Sequence, residues 1–209
     1  MLPSEAVMLE KYKVGRASLR EALRLLEVQG LIVIRPGPGG GPMVAQVDST
    51  HYARISSLYY HMMNATYQNV VDARLVIEPV IARIIAERQD PDDMKVLQGY
   101  LDRVGTSDAE RYLEEATGFH AMLADMSGNP VLYLTVRSLQ EIYLERAHGM
   151  IFPPEDHERV EQEHAAIARA IIKGNAARAE QLMRKHMVEY VEYSRIRASI
   201  ALEEIVGWY

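Results

Sequence analysis

Val14-Gly15-Arg16-Ala17-Ser18-Leu19-Arg20-Glu21-Ala22-Leu23-Arg24-Leu25-Leu26-Glu27, with Gly30 just beyond it, reads as one amphipathic helix and its stop. Leu19, Ala22, Leu23 and Leu26 follow the i, i+3, i+4, i+7 spacing of a buried stripe. Arg16, Arg20 and Arg24 recur every four residues on a different face. Upstream, Pro3-Ser4-Glu5 is a helix start. Ser4 can cap the open N–H groups and Glu5 sits in the favourable first turn. That first helix should run to about Tyr12, with Lys13-Val14-Gly15 as the turn. Downstream, Leu31-Ile32-Val33-Ile34 is apolar and β-branched, as a strand requires. Pro36-Gly37-Pro38-Gly39-Gly40-Gly41-Pro42 should form no regular element, and Met43-Val44-Ala45-Gln46-Val47 reads as a return strand. Two helices, a tight turn and a hairpin make a helix-turn-helix with a wing. In such a head the second helix enters the major groove N-terminus first. Arg16, Ser18 and Arg20 then face base edges or phosphates. A tip without side chains, Gly39-Gly40, can lie against the DNA backbone or in the minor groove. It is not a phosphate-binding P-loop, because neither a Lys-Ser/Thr pair nor a helix follows it.

Charge supports this division. The 209 residues carry 23 Lys plus Arg against 29 Asp plus Glu, a net charge of −6. The acidic excess belongs to the body. Residues 1–47 have six basic side chains against four acidic ones. A basic head suits phosphates while the acidic body serves another partner. The chain has no cysteine, so neither disulfides nor zinc–thiolate fingers enter the argument. No apolar run approaches the ~18 residues of a membrane span, and the N-terminus lacks the basic-then-apolar order of a signal peptide. A cytoplasmic protein without membrane contact is the expectation.

From Asp48 onward the pattern is helical. Candidate helices cover about 50–64, 67–88, 91–103, 107–126, 130–148, 155–173 and 176–203. Asp90-Pro91-Asp92-Asp93, Ser127-Gly128-Asn129-Pro130 and Lys173-Gly174-Asn175 mark their ends. Pro79 should kink or split its helix. The fold class is mainly α: a winged helix-turn-helix over 1–47, then an all-α bundle of six or seven helices over 48–209.

Histidines carry the chemistry of the body. His164 lies 10 residues before Gly174 and His186 lies 12 after it. On antiparallel helices they reach about the same level. His120 occupies an earlier helix. Three imidazoles meeting inside a bundle make a transition-metal site; helical histidines also serve as surface or hydrogen-bonded residues. Arg74 could meet an effector carboxylate or pair with Glu78 at i+4. Tyr59, Tyr60, Met62 and Met63, with Met122, Met126, Met183 and Met187, read first as core and second as the lining of an apolar cavity.

Leu2-Pro3-Ser4-Glu5, the helix from Val14 to Glu27, Gly30-Leu31-Ile32 and Arg35-Pro36-Gly37 with Gly39-Gly40 together resemble the winged helix of the GntR family of bacterial transcription regulators. The resemblance covers nearly all of residues 2–45. It implies operator contacts by Arg16 and Arg20 and a minor-groove contact by the wing-tip glycine. Two positions depart from the family. Ala6 stands where an Arg is frequent, and Gly15 replaces the usual Ser cap, so operator affinity should differ from the family norm. The family also has a helix before Leu-Pro-Ser-Glu, so the sequence reads as truncated there.

Asp72-Ala73-Arg74-Leu75-Val76-Ile77-Glu78, Phe119-His120 with Ser127-Gly128-Asn129-Pro130, His164-Ala165-Ala166-Ile167 and Met183-Arg184-Lys185-His186 are similar to the FCD effector domain of the FadR subfamily. That similarity implies a divalent metal, zinc or nickel foremost, on His120, His164 and His186. In that subfamily a small carboxylate effector can complete the coordination. The family's aspartate, four residues before the first His, is Ala116 here, and Glu115 is turned about 100° away. The site is then three His plus water or effector, or has rebuilt its carboxylate elsewhere, or holds no stable metal. Some members dispense with metal and bind acyl-CoA.

The resulting expectation is a ligand-responsive regulator, not an enzyme. As a homodimer it would read a pseudo-palindromic operator of double-stranded DNA, with repression relieved by a small acid. Two alternatives stand beside it: a helical metalloenzyme built on the three His, which lacks a general base, and a dimeric scaffold with a degenerate site.

Overall fold

The computed structural model describes residues 1–37, 39–46, 48–105, 112–147 and 154–208, without the side chains of 112–116, 145–147, 154–155, 194 and 197–201. The expected features at Glu115 and Ala116 lie outside the described side chains. The chain packs as two units, Met1–His51 and Tyr52–Tyr209.

In the first unit α1 (Glu5–Tyr12) begins where Ser4 accepts the Val7 N–H at 3.4 Å, and it ends at Lys13 with φ 52°. α2 (Arg16–Val28) starts at Gly15, which brings no capping side chain. Leu19 and Leu23 are buried with Met8 and Ile32 in a small core, and Leu26 packs at its margin. Ala22, expected in that stripe, is exposed; one methyl group adds little to the burial that orients the helix. β1 (Ile32–Arg35) pairs antiparallel with β2 (Gly41–Val44), Ile32 opposite Val44 and Arg35 opposite Gly41. Gly41 and Pro42 therefore belong to a strand, against expectation. A two-stranded ribbon consists of edges, where a proline need not donate to a ladder. The Pro42 carbonyl still accepts the Leu2 N–H at 2.9 Å. The wing tip is sterically fixed at Gly40. A Cβ there would collide with the Arg35 carbonyl oxygen and come within 2.9 Å of the carbonyls of Pro36 and Gly37.

The sequence reading ended the head at residue 47; the packing adds Ser49 and His51, at the start of α3 (Ser49–Met62). Ser49 is buried, and the His51 ring lies over Gly30.

The second unit continues with α4 (Tyr67–Arg88), α5 (Pro91–Leu101), α6 (Tyr112–Asp125), α7 (Pro130–Ala147), α8 (Pro154–Ile172) and α9 (Ala176–Glu203). α4 is the central rod, in contact with α6, α7, α8 and α9. It opens on a capping box, with Thr66 and Asn69 bonding reciprocally. Pro79 neither ends nor divides it. The missing N–H costs about 3 kcal/mol in an isolated helix. Here Pro79 is buried, and the complete burial of Ala82 and Ile85 beside it holds the rod in place. Asn129 caps α7 by accepting the Val131 N–H at 2.9 Å, after Gly128 at φ 68°. Gly174 at φ 66° and the Asn175 cap turn the chain from α8 into α9. Met126, Met183 and Met187 lie in the main core with Ile81, Ile85 and Phe119. Tyr59, Met62 and Met63 are instead exposed, because the inward side of α3 is taken by Ala53, Ser56 and Ser57. No helix among the described residues is long and apolar enough to cross a membrane.

Candidate functional site

Four helices of the body bring one polar cluster together. α8 and α9 run back against each other from Gly174, and His164 and His186 meet with their Nε2 atoms 3.1 Å apart. His120, on α6, places its Nε2 3.2 Å from that of His186. All three ligand atoms lie within 4.8 Å of one another, and all three residues are buried. Phe119 stacks on the His164 ring at 4.3 Å between centroids, which fixes that ring.

Carboxylates hold two of the outer nitrogens. Glu163 accepts the Nδ1–H of His186 at 2.8 Å. Glu78 accepts the Nδ1–H of His120 and, through its other oxygen, the Nε–H of Arg74 at 2.6 Å. With hydrogen on Nδ1, the Nε2 atoms of His120 and His186 turn lone pairs toward each other. A cation among them converts that repulsion into coordination. The separations suit it: nitrogens bound at ~2.0–2.1 Å to one tetrahedral ion stand about 3.3 Å apart. Carboxylate–histidine pairs of this kind orient metal-binding imidazoles and raise their basicity.

The electrostatics agree with this donor set. Burial pushes His164 well below the ordinary imidazole value, and His186 and His120 add to the effect. Burial also lowers His120, partly opposed by Glu78. Burial would raise Glu78, but Arg74 and His120 outweigh it and hold the carboxyl at about 2. Glu163 is likewise held below its ordinary value, where bonds from His186 and Arg159 overcome burial. The neutral imidazole is the ligand form, so these shifts favour metal binding.

Sequence reasoning named Glu78 only as a partner for Arg74, and it missed Glu163. The signal for Glu163 was its place directly before His164. Glu78 is four residues beyond Arg74 on the central rod, but its reach to His120 depends on how α4 and α6 pack. Arg74 is buried against Glu78, and its guanidinium carbon lies 5.9 Å from the Tyr143 ring centroid.

In the head, Arg16, Ser18, Arg20 and Arg24 are all exposed on α2, as are Gly39 and Gly40 at the wing tip. Arg16 opens the helix and Ser18 sits two residues later, so both lie at the end that a winged helix presents to a groove.

A winged helix-turn-helix joined to an all-helical body with a buried polar centre is the architecture of a DNA-binding transcription regulator. Comparison with known proteins agrees. The profile described as "FCD domain" matches residues 69–189, and that of "Bacterial regulatory proteins, gntR family" matches residues 1–40. The chain belongs to the GntR family and carries the effector domain of its FadR subfamily. It is 26% identical to the HTH-type transcriptional regulator LutR of Bacillus subtilis, over 89% of this chain and 87% of that one. It is 28% identical to the HTH-type transcriptional repressor NanR of Klebsiella aerogenes, over 89% of this chain and 74% of that one. Among solved structures it resembles Streptococcus agalactiae GntR, with a TM-score of 0.66 and 25% identity over 91% of this chain and 88% of that one. The family and these relatives are transcription regulators and not enzymes, which sets the metalloenzyme alternative aside.

Proposed function

We propose that the chain is a metabolite-responsive repressor that binds its operator as a homodimer and carries a divalent metal, zinc or nickel, in its helical body. The observation that carries this reading is the convergence of three buried imidazole Nε2 atoms, two of them on rings oriented by buried or half-buried carboxylates. His120, His164 and His186 would hold the ion. Bound there, it would act as a Lewis acid and draw an anionic oxygen of a small acid into its open coordination. Arg74 spends its Nε–H on Glu78 and would offer its terminal nitrogens to the same acid. The relative NanR is a transcriptional repressor, which supports repression as the sign.

In the head, Arg16, Ser18 and Arg20 would contact operator bases and phosphates, with Gly39 and Gly40 at the minor groove. A two-fold dimer would place two such heads on a pseudo-palindromic site. The acid would change operator occupancy only by its different affinity for the bound and released states.

Protein purified without affinity chelation tests the reading. It should contain near-stoichiometric transition metal, and small carboxylic acids should weaken operator binding by the metal-loaded dimer. Metal-free protein whose operator affinity ignores every acid would reduce the body to a scaffold.

A further inference from the structure

Gln140, on α7, is buried at 4% exposure, and its Nε2 has no hydrogen-bond partner. A buried amide N–H left unpaired bears its full desolvation cost, and such groups nearly always meet protein, water or ligand. The register of the bundle shows what lies beside it. α7 packs along α4. Toward one end of that seam Val136 shares a cluster with Ile81, Ala82 and Ile85. Toward the other, Tyr143 shares a cluster with Val70 and Val71, and its ring lies under the Arg74 guanidinium. The two helices therefore run in opposite directions. Gln140 stands one turn past Val136 and three residues before Tyr143, on the inward side of α7. Interpolated between these shared neighbours, that position falls between the levels of Arg74 and Glu78, the pair that anchors His120.

We infer that Gln140 is a specificity-determining residue of the effector centre. Its amide donates a hydrogen bond to a second oxygen of the bound acid, a hydroxyl or carbonyl oxygen beyond the metal-bound carboxylate. The inference rests on the metal-and-carboxylate reading above and deepens it. The neighbouring charges already answer one another, Arg74 with Glu78 and Glu78 with His120. Beside the terminal nitrogens that Arg74 would offer the carboxylate, the Gln140 amide is an unanswered neutral donor, and a neutral donor selects for an acceptor rather than for added charge. An acid without that oxygen leaves the amide unpaired when it binds. Sites built to hydrogen-bond a substrate group reject analogues that lack it.

Calorimetric titration of the zinc-loaded, full-length protein tests this with acids that differ in one oxygen: propionate against lactate and pyruvate, and succinate against malate. In at least one set the member with the extra oxygen should bind about tenfold tighter, the effect of one well-placed hydrogen bond. Gln140→Leu should bring that set together while zinc content stays unchanged. Gln140→Met, closer to glutamine in shape, serves as the second variant if leucine disturbs folding. A parent that does not prefer the extra oxygen, or variants that keep the preference, would overturn the assignment to Gln140. A protein that binds zinc but none of these acids overturns the carboxylate reading and this assignment with it. One that binds no zinc overturns the metal centre as well, so the zinc measurement separates the failures.

Discussion

His164 and His186 approach with their Nε2 atoms 3.1 Å apart, each ring on its own side of the turn at Gly174. A neutral imidazole pair can share one hydrogen, His164 donating to the lone pair that His186 keeps on Nε2 while its Nδ1–H goes to Glu163; His120, with its Nδ1–H on Glu78, then turns a second lone pair to the same His186 Nε2 at 3.2 Å. A metal ion satisfies all three rings. Adding zinc should therefore raise the melting temperature of the parent. At a free concentration about 100 times Kd the gain is about 2.7 kcal/mol, or several degrees for a chain of this size. His164→Ala and His186→Ala should lose both the metal and the zinc-dependent shift. Because protons compete for the same nitrogens, zinc affinity in the parent should fall as pH drops below the ordinary imidazole range. Metal analysis combined with thermal melts at two pH values measures all of this.

Glu78 ties Arg74 to His120 from the buried middle of α4, with 3% exposure. Glu78→Gln removes the charge that answers the Arg74 guanidinium, also buried, and should cost about 3–5 kcal/mol in chemical denaturation. Replacing Arg74 by Met in the same chain should recover part of that loss, since no buried cation is then stranded. The pH dependence has a definite sign. The carboxyl of Glu78 is held at about 2 in the folded state against 4.5 ordinarily. Its contribution of about 3 kcal/mol is complete above pH about 4.5 and disappears as pH falls toward about 2. Acid unfolding of Glu78→Gln should be shallower across that window.

Arg16, Ser18 and Arg20 are exposed, so their loss should be felt in binding and not in stability. Arg16→Ala and Arg20→Ala should each weaken operator binding by roughly 1–3 kcal/mol if the side chain reads a base. Either change should leave the melting temperature within about a degree of the parent. A contact to phosphate alone would reveal itself by a smaller salt slope and equal loss on all sequences. Ser18→Ala should have a smaller effect of the same kind. Titrations of labelled duplexes at two salt concentrations decide between these roles.

The head was legible because its signals are local. Ser4, Gly15, Gly30 and the Leu19–Leu23 spacing each act within a few residues of themselves. The helix ends at Gly128 and Gly174 could be read for the same reason. That α4 runs on unbroken through Pro79 could not be read, because the local cost is outweighed by packing from four other helices, which no window along the chain reveals. Ala22 and Met62 show the same limit: apolar spacing identifies a face but not whether another element covers it. In the polar cluster, His164 and His186 could be brought level by counting residues from one turn. Glu78 could not be linked to His120, 42 residues away in sequence, until α4 and α6 were packed. Gln140 carried no signal at all, since only its burial without a partner distinguishes it from a surface glutamine.

Gly30 gives the sharpest test of the head. It follows α2 at φ +69°, and a Cβ built there would lie 2.6 Å from the Cγ and Cδ2 of the His51 ring. Two separate penalties follow for Gly30→Ala: the left-handed backbone costs about 1 kcal/mol, and the ring must move. The combined loss should be about 2–3 kcal/mol. His51→Ala removes the obstruction and should cost little in hydrogen bonding, since the ring's Nε2 is buried without a partner. In the double variant the steric part should vanish and only the backbone part persist, so the two changes should fall short of additivity by more than 1 kcal/mol. Equilibrium denaturation of the four proteins closes this cycle. Strict additivity would mean that the ring does not rest on Gly30 in solution.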